Sequence, residues 1–163
     1  MTSERSEIAG SVVRRSSSAS YVGPADPNQV IEATIVIRRP IPMQEAGYSP
    51  ALSSSKTRDE IEKSLSADAT DIAAVTDYAR RFGLTVKETS PEKRALRVEG
   101  PVHSVDDAFG IKLASFEGPD GTFLSYDGPL TAEADVAGRI MAVLGLHQAP
   151  VAKPRAGLKV KTR

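Results

Sequence analysis

Leu84-Thr-Val-Lys-Glu88, then Thr89-Ser-Pro-Glu-Lys-Arg94, then Ala95-Leu-Arg-Val-Glu99 and Gly100-Pro101 is the run that decides how this chain is built. Its two outer pieces alternate apolar and polar residues with the period of a strand, and the link between them is short enough for an antiparallel pair. Leu84, Val86, Leu96 and Val98 then share one side, and Thr85, Lys87, Arg97 and Glu99 the other. Gly100-Pro101 turns the chain into a helix. Val102, Val105, Ala108 and Phe109 recur there at helical spacing, and Gly110 is placed to stop it.

Upstream, Thr70 to Phe82 predicts a second helix with an apolar stripe of Ile72, Val75, Ala79 and Phe82. Thr70 or Asp71 is suited to cap it, and Gly83 to end it. Before it, Val30 to Arg39 is rich in β-branched residues and predicts a strand, with Ile31, Ala33, Ile35 and Ile37 on one face and Glu32, Thr34, Val36 and Arg38 on the other. Pro40, Pro42 and Pro50 mark an irregular connection, followed by a short helix within Ser53 to Ser66 that Thr57 caps and Glu60 closes as a capping box. Downstream, Lys112 to Glu117 and Thr122 to Asp127 flank Gly118-Pro-Asp-Gly121 as a hairpin. Ala134 to Leu144 reads as a third helix with Ile140, Val143 and Leu144 inward and Gly145 at its end.

The order strand, helix, strand, strand, helix, strand predicts an α+β fold: a ferredoxin-like antiparallel sheet with helices on one face, plus a hairpin arm and a C-terminal helix. The sheet's second face would carry Thr34, Val36, Lys87 and Arg97, with Phe116 and Tyr126 added from the hairpin. Such a semi-polar face fits a water-facing surface and a partner site equally.

The 163 residues suit one domain with its own core and are too few for two. That domain is expected over 28–147. Residues 1–27, rich in Ser and charge, read as a disordered lead-in, and 148–163 as a basic extended linker. Apolar and charged fractions of 40% and 26% are those of a soluble globular protein. There is no apolar run of membrane-helix length, no signal-peptide centre near the N-terminus and no cysteine. The balanced charge hides an asymmetry. Lys153, Arg155, Lys159, Lys161 and Arg163 form a tail without acids, which leaves the rest at about −5. The charge pattern fits a solvated tail as well as one that docks on an acidic surface.

Few residues suggest chemistry. His103 and His147 are the only histidines and stand at no ligand spacing. His103 reads as a first-turn helix residue, and His147 as a cation at a helix C-terminus. Asp106 and Asp107 diverge by about 100° around a helix and read as solvated acids. The serine runs lack a nucleophile-elbow context, and Gly118 to Gly121 is turn chemistry rather than a phosphate cradle. The middle strands carry no aromatic residue, which argues against an RNA-stacking platform. The chain reads as a module without an active site, so it is expected to be no enzyme by itself and to hold no cofactor.

One ordered series of motifs adds a specific expectation. Ala33 to Arg39 ending Arg-Arg-Pro40, Phe82-Gly-Leu-Thr-Val86, Val98-Glu-Gly-Pro-Val102, Ala108-Phe-Gly-Ile-Lys-Leu113, Pro119-Asp-Gly121, Ser125-Tyr126, Gly128, Ala142-Val-Leu-Gly-Leu146, Pro150-Val-Ala152 and Pro154 resemble the activation prodomain of sedolisins, the kumamolisin-type serine-carboxyl peptidases. The resemblance spans about Pro27 to Pro154. It departs from the family's usual pattern at His147, where Asp commonly follows Leu-Gly-Leu, and at Thr131-Ala132-Glu133, a segment that often holds proline. The resemblance implies a prosegment that assists folding of a peptidase and inhibits it until cleavage in acid. The Ser, Glu and Asp of catalysis, and calcium, would belong to a catalytic domain beyond this chain.

The resemblance further implies that the sheet face packs on the cognate peptidase domain, within one precursor or in trans, and that Lys153, Pro154, Arg155, Leu158, Lys159 and Lys161 lie across its active site. Extended at about 3.3 Å per residue, 147–163 would span roughly 55 Å, enough to cross such a domain. Secretion is implied as well; neither nucleic acid nor membrane is an expected partner. Two alternatives stay open: a ferredoxin-like small-molecule sensor domain and a stand-alone peptidase inhibitor.

Overall fold

The computed structural model describes residues 4–13, 18–40 and 57–150. In chain order the elements are β1 (Arg5–Glu7), β2 (Ser20–Pro24), β3 (Val30–Ile37), α1 (Arg58–Leu65), α2 (Ala69–Arg81), β4 (Thr85–Ser90), β5 (Ala95–Pro101), α3 (Val102–Phe109), β6 (Ala114–Gly118), β7 (Gly121–Ser125), β8 (Thr131–Glu133), α4 (Ala134–Ala137) and β9 (Ile140–Leu144).

The run that opened the sequence folds as expected. β4 and β5 pair antiparallel, β5 pairs with β3, and β3 with β9, giving a four-stranded sheet in the order β4-β5-β3-β9. Ile31, Ala33, Ile35 and Ile37 of β3 are buried, as are Leu96 and Val98 of β5. Val75, Tyr78 and Ala79 of α2 and Val102, Val105, Ala108 and Phe109 of α3 join the same apolar cluster. Burying each of the larger side chains contributes about 1.5–3 kcal/mol, so this one-sided layer is the main source of stability. Strand order and helix placement are those of the ferredoxin-like α+β expectation.

Local signals explain the helix ends. Asp68, rather than Thr70 or Asp71, caps α2: its Oδ1 accepts the Thr70 N–H at 2.7 Å. That bond, the largest cause, holds the Asp68 carboxyl below its ordinary range. Glu60 Oε2 accepts the Thr57 N–H at 3.1 Å, one half of the expected capping box on α1. Gly110 ends α3 at φ 63°, a left-handed conformation that glycine adopts without a Cβ penalty.

Other expectations fail. The C-terminal helix over Ala134 to Leu144 is only the four-residue α4; Ile140 to Leu144 is the strand β9. An apolar run of five, Ile-Met-Ala-Val-Leu, is too short for its period to decide. The open edge of β3 decides it, by taking Ile140 opposite Ile37 and Val143 opposite Ile35. β9 is therefore the sixth element and fourth strand of the pattern, and the hairpin β6–β7 is an insertion between α3 and β9. At the end of β9, Gly145 has φ 95°, and a Cβ there would lie 2.9 Å from Glu32 O.

The lead-in before residue 28 is not structureless where it is described. β1 pairs with β8, and β2 pairs with β6 to make a three-stranded sheet, β2-β6-β7. Ile8 is 1% exposed within the main cluster. Its N–H donates to Leu130 O at 2.8 Å, and Arg5 donates to Ala108 O and Thr131 O at 2.8 and 2.9 Å. The Arg5 cation thus sits on a carbonyl at the C-terminal end of α3, where the helix dipole favours it. These partners lie more than 100 residues away, beyond the reach of any local pattern.

Asp106 also differs from the expectation of a solvated acid. It is half-buried, and Oδ1 accepts the Leu113 N–H at 2.9 Å, which fastens the loop between α3 and β6. Burial pushes its carboxyl above the ordinary 3.8, against the opposing hydrogen bond from Leu113. Asp107 is exposed.

Two outcomes follow from these contacts. Ile8→Ala should lower unfolding stability by about 2–5 kcal/mol in a denaturant titration; a change near zero would mean that the N-terminal segment does not belong to the core. A raised folded-state carboxyl contributes stability that is complete below the unfolded value and is lost as pH rises through the folded one. Asp106→Asn keeps an acceptor and removes the charge. Its stability relative to the parent should therefore rise from well below 3.8 to neutrality, and a pH-independent difference would contradict this assignment.

Candidate partner-docking face

Because the core fills one side of the four-stranded sheet, the other side is left without helices among the described residues. Strand alternation places Glu32, Thr34 and Val36 of β3 there, with Ala95, Arg97 and Glu99 of β5. On β4, Thr85 stands opposite Glu99, Glu88 opposite Arg97 and Ser90 opposite Ala95. A bulge between Val86 and Glu88 inserts Lys87, whose Nζ reaches Glu99 at 3.1 Å. On β9, Ala142 stands opposite Val36 and Leu144 opposite Thr34.

The face has two halves. Over β4 and β5 it is charged: Lys87 pairs with Glu99, and Arg97 reaches Glu32 at 3.3 Å and Glu88 at 3.5 Å. Exposed pairs of this kind contribute about 0.2–1 kcal/mol each, so they order the side chains more than they hold the fold. Over β3 and β9 it is apolar, with Val36, Ala142 and Leu144, the last 56% exposed, and with Met141, 54% exposed, at the bulge between β3 and β9. Val30 stands exposed at the far end of β3. An apolar strip rimmed by ordered charges is the composition of a surface that meets another surface.

Four of the predicted face residues, Thr34, Val36, Lys87 and Arg97, are brought together here. Phe116 and Tyr126 are not. Phe116 is 1% exposed in the separate β2-β6-β7 sheet, its ring between Tyr21 at 5.8 Å and Phe123 at 6.1 Å. Tyr126 is buried and donates from its hydroxyl to Ser11 O at 2.7 Å. On the sequence alone both join the second face from a hairpin arm; β2 pairs with that hairpin in a separate sheet instead. Ala142, Met141 and Leu144 were missed because their segment read as a helix. The short apolar run after Gly138 was the one available signal. Glu88 was missed because the bulge shifts the alternation by one residue.

The predicted linker residues Lys153, Pro154, Arg155, Leu158, Lys159 and Lys161 lie outside the described residues. The segment leading to them is anchored. Leu146 is buried, and Gln148 donates from its backbone N–H to Leu124 O at 2.9 Å. His147 follows a strand rather than a helix. Its Nδ1 is 2.8 Å from Ser125 Oγ, and its ring meets Phe123 edge-on. Residues 147 and 148 therefore lie beside β7. His103 is exposed on the first turn of α3, its Nδ1 3.4 Å from Ser104 Oγ. Among the described residues no three metal-ligating side chains converge, and no helix is long and apolar enough to cross a membrane.

Comparison with known proteins gives the family of the chain. The family described as "Pro-kumamolisin, activation domain" matches residues 17–149. Kumamolisin from Bacillus sp. (strain MN-32) is 31% identical over 163 residues, which cover 96% of this chain and 30% of that protein. The chain thus spans about 30% of the length of this relative. With a match that runs from before β2 to beyond β9, the chain belongs to the pro-kumamolisin activation domain family.

Proposed function

We propose that the chain is the N-terminal activation prodomain of a kumamolisin-type serine-carboxyl peptidase. It assists the folding of the catalytic domain, docks on it through the open sheet face and keeps it inactive until the connecting segment is cleaved in acid. The observation that carries this reading is a sheet with its core on one side only, in a chain of this family. The apolar strip of Val36, Ala142 and Leu144 supplies the area to be buried, and the ordered charges of Lys87 and Arg97 select orientation. A preformed surface of this kind also explains assistance in folding: it presents a template before the catalytic domain has a core of its own.

Inhibition follows from the tether. The basic segment 148–163 starts beside β7 and would lie across the substrate subsites, where attachment to a docked domain raises its effective concentration. The chain contributes no reacting group in this scheme. The serine nucleophile, its carboxylate partners and calcium would all belong to the catalytic domain, and the precursor would act outside the cell. As pH falls, carboxylates paired across the interface lose charge, the complex weakens and the segment is exposed to cleavage.

The test is inhibition in trans of the cognate catalytic domain, expressed separately, by the full chain and by a chain lacking Lys153 to Arg163. The full chain should inhibit near neutrality and lose grip in acid, and truncation should weaken inhibition far more than it lowers the melting temperature. Equal inhibition across that range would refute charge-linked release. A collapse of stability on truncation would show that the tail serves the fold instead.

A further inference from the structure

Four arginines meet where β3 ends. Ile37 N–H donates to Arg94 O at 2.7 Å and Arg38 N–H to Arg139 O at 2.9 Å, so Arg38-Arg39, the β4–β5 turn and the start of β9 lie side by side. Asp71, buried in the first turn of α2, is held by Arg139 and by Arg38 Nε at 3.1 Å; Asp135 lies 3.6 Å from Arg139. Those two carboxylates account for Arg38 and Arg139. Among the described residues no carboxylate is within ion-pair distance of Arg39 or Arg94.

Arg94 is unusual in its backbone as well. At φ 54° it is the one non-glycine residue with positive φ among those described. A turn that needed only this conformation would be served better by Gly or Asn. Here the conformation lays the side chain over the end of β3, where Nη1 donates to Ile37 O at 3.3 Å and lies 3.7 Å from Met141 Sδ, on the rim of the open face. Burial, and then the charge of Arg39, hold this guanidinium below its usual range. A half-buried cation fixed beside a second cation is an arrangement that an incoming anion relieves.

We infer that Arg39 and Arg94 form a receptor for one carboxylate of the partner peptidase, at the β3 end of the docking face. The planar donors of two guanidinium groups suit both oxygens of such a group. This inference rests on the docking reading above and deepens it. The other charged groups around the position are Arg38, Arg139 and Lys93 against Asp71, Asp135 and Glu92, so Arg39 and Arg94 leave the cations in excess. A partner carboxylate bound there would have its pKa lowered in the complex. Its contribution to binding would be present above the free value and lost as pH falls.

The experiment is the same inhibition assay with full-length Arg39→Gln, Arg94→Gln, Arg94→Lys and the double Gln variant, with folding checked by thermal melting. Each Gln variant should weaken inhibition near neutrality about tenfold, with the double variant short of the product because the two share one anion. Arg94→Lys should retain more than Arg94→Gln, and the double variant should depend less on pH than the parent. Arg39 is exposed and makes no ion pair among the described residues, so Arg39→Gln stays decisive if the Arg94 variants unfold. Unchanged inhibition by Arg39→Gln overturns the receptor alone, and an equal loss at neutral and acid pH overturns its carboxylate chemistry. If the parent chain does not inhibit, the receptor and the docking reading fall together.

Discussion

Antiparallel pairing of β9 with β3 sets Val143 opposite Ile35 and Ala142 opposite Val36, and this ladder completes a sheet with one dry side. On that side Ile35 is buried with the helices; on the other, Val36 and Ala142 are only partly buried. Because side chains alternate along a strand, a slip of one residue would exchange the two sets and destroy both the core and the open face. Gly145 limits that freedom at the end of the ladder, since its backbone passes so close to Glu32 O that a Cβ would collide. Fold and candidate surface are therefore two consequences of one register.

The end of the sheet is closed by charge rather than by apolar packing. Asp71 is buried in the first turn of α2 and is gripped by Arg38 from the end of β3 and by Arg139 from the start of β9. Removing one partner from such a group leaves an uncompensated buried charge, which ties three elements to one geometry. Asp68 takes the capping role, which leaves Asp71 free for this cluster. The same corner supplies the rim of the open face, so the placement of Arg39 and Arg94 depends on the cluster beside them.

What could be read in the sequence was whatever is written locally. The alternation in Leu84 to Glu88 and Ala95 to Glu99 shows two paired strands of the sheet, and the stripes on α2 and α3 show the face they cover. Thr34, Val36, Lys87 and Arg97 followed from that alternation. The missing parts needed distant partners. Residues 140–144 become a strand because β3 has an open edge, and residues 5–8 are ordered by contacts with 108 and 130–134. The pairing of β2 with the hairpin also arises from neighbours far along the chain, and the bulge at Lys87 shifts an otherwise regular alternation. Half of the docking face was hidden by one short apolar run whose period fits helix and strand alike.

The central claim is that the open face meets the peptidase. The chain contains no cysteine, so single cysteines placed by Val36→Cys, Leu144→Cys and Asp107→Cys can be labelled cleanly with a thiol reagent. Labelling rates would be measured alone and with the separately expressed catalytic domain, near neutrality. Protection confined to the Val36 and Leu144 positions, with no change at Asp107 on the helix side, is the predicted result. Protection at Asp107 alone, or unchanged rates at all three positions in a mixture that is inhibited, would place the contact elsewhere and contradict the account.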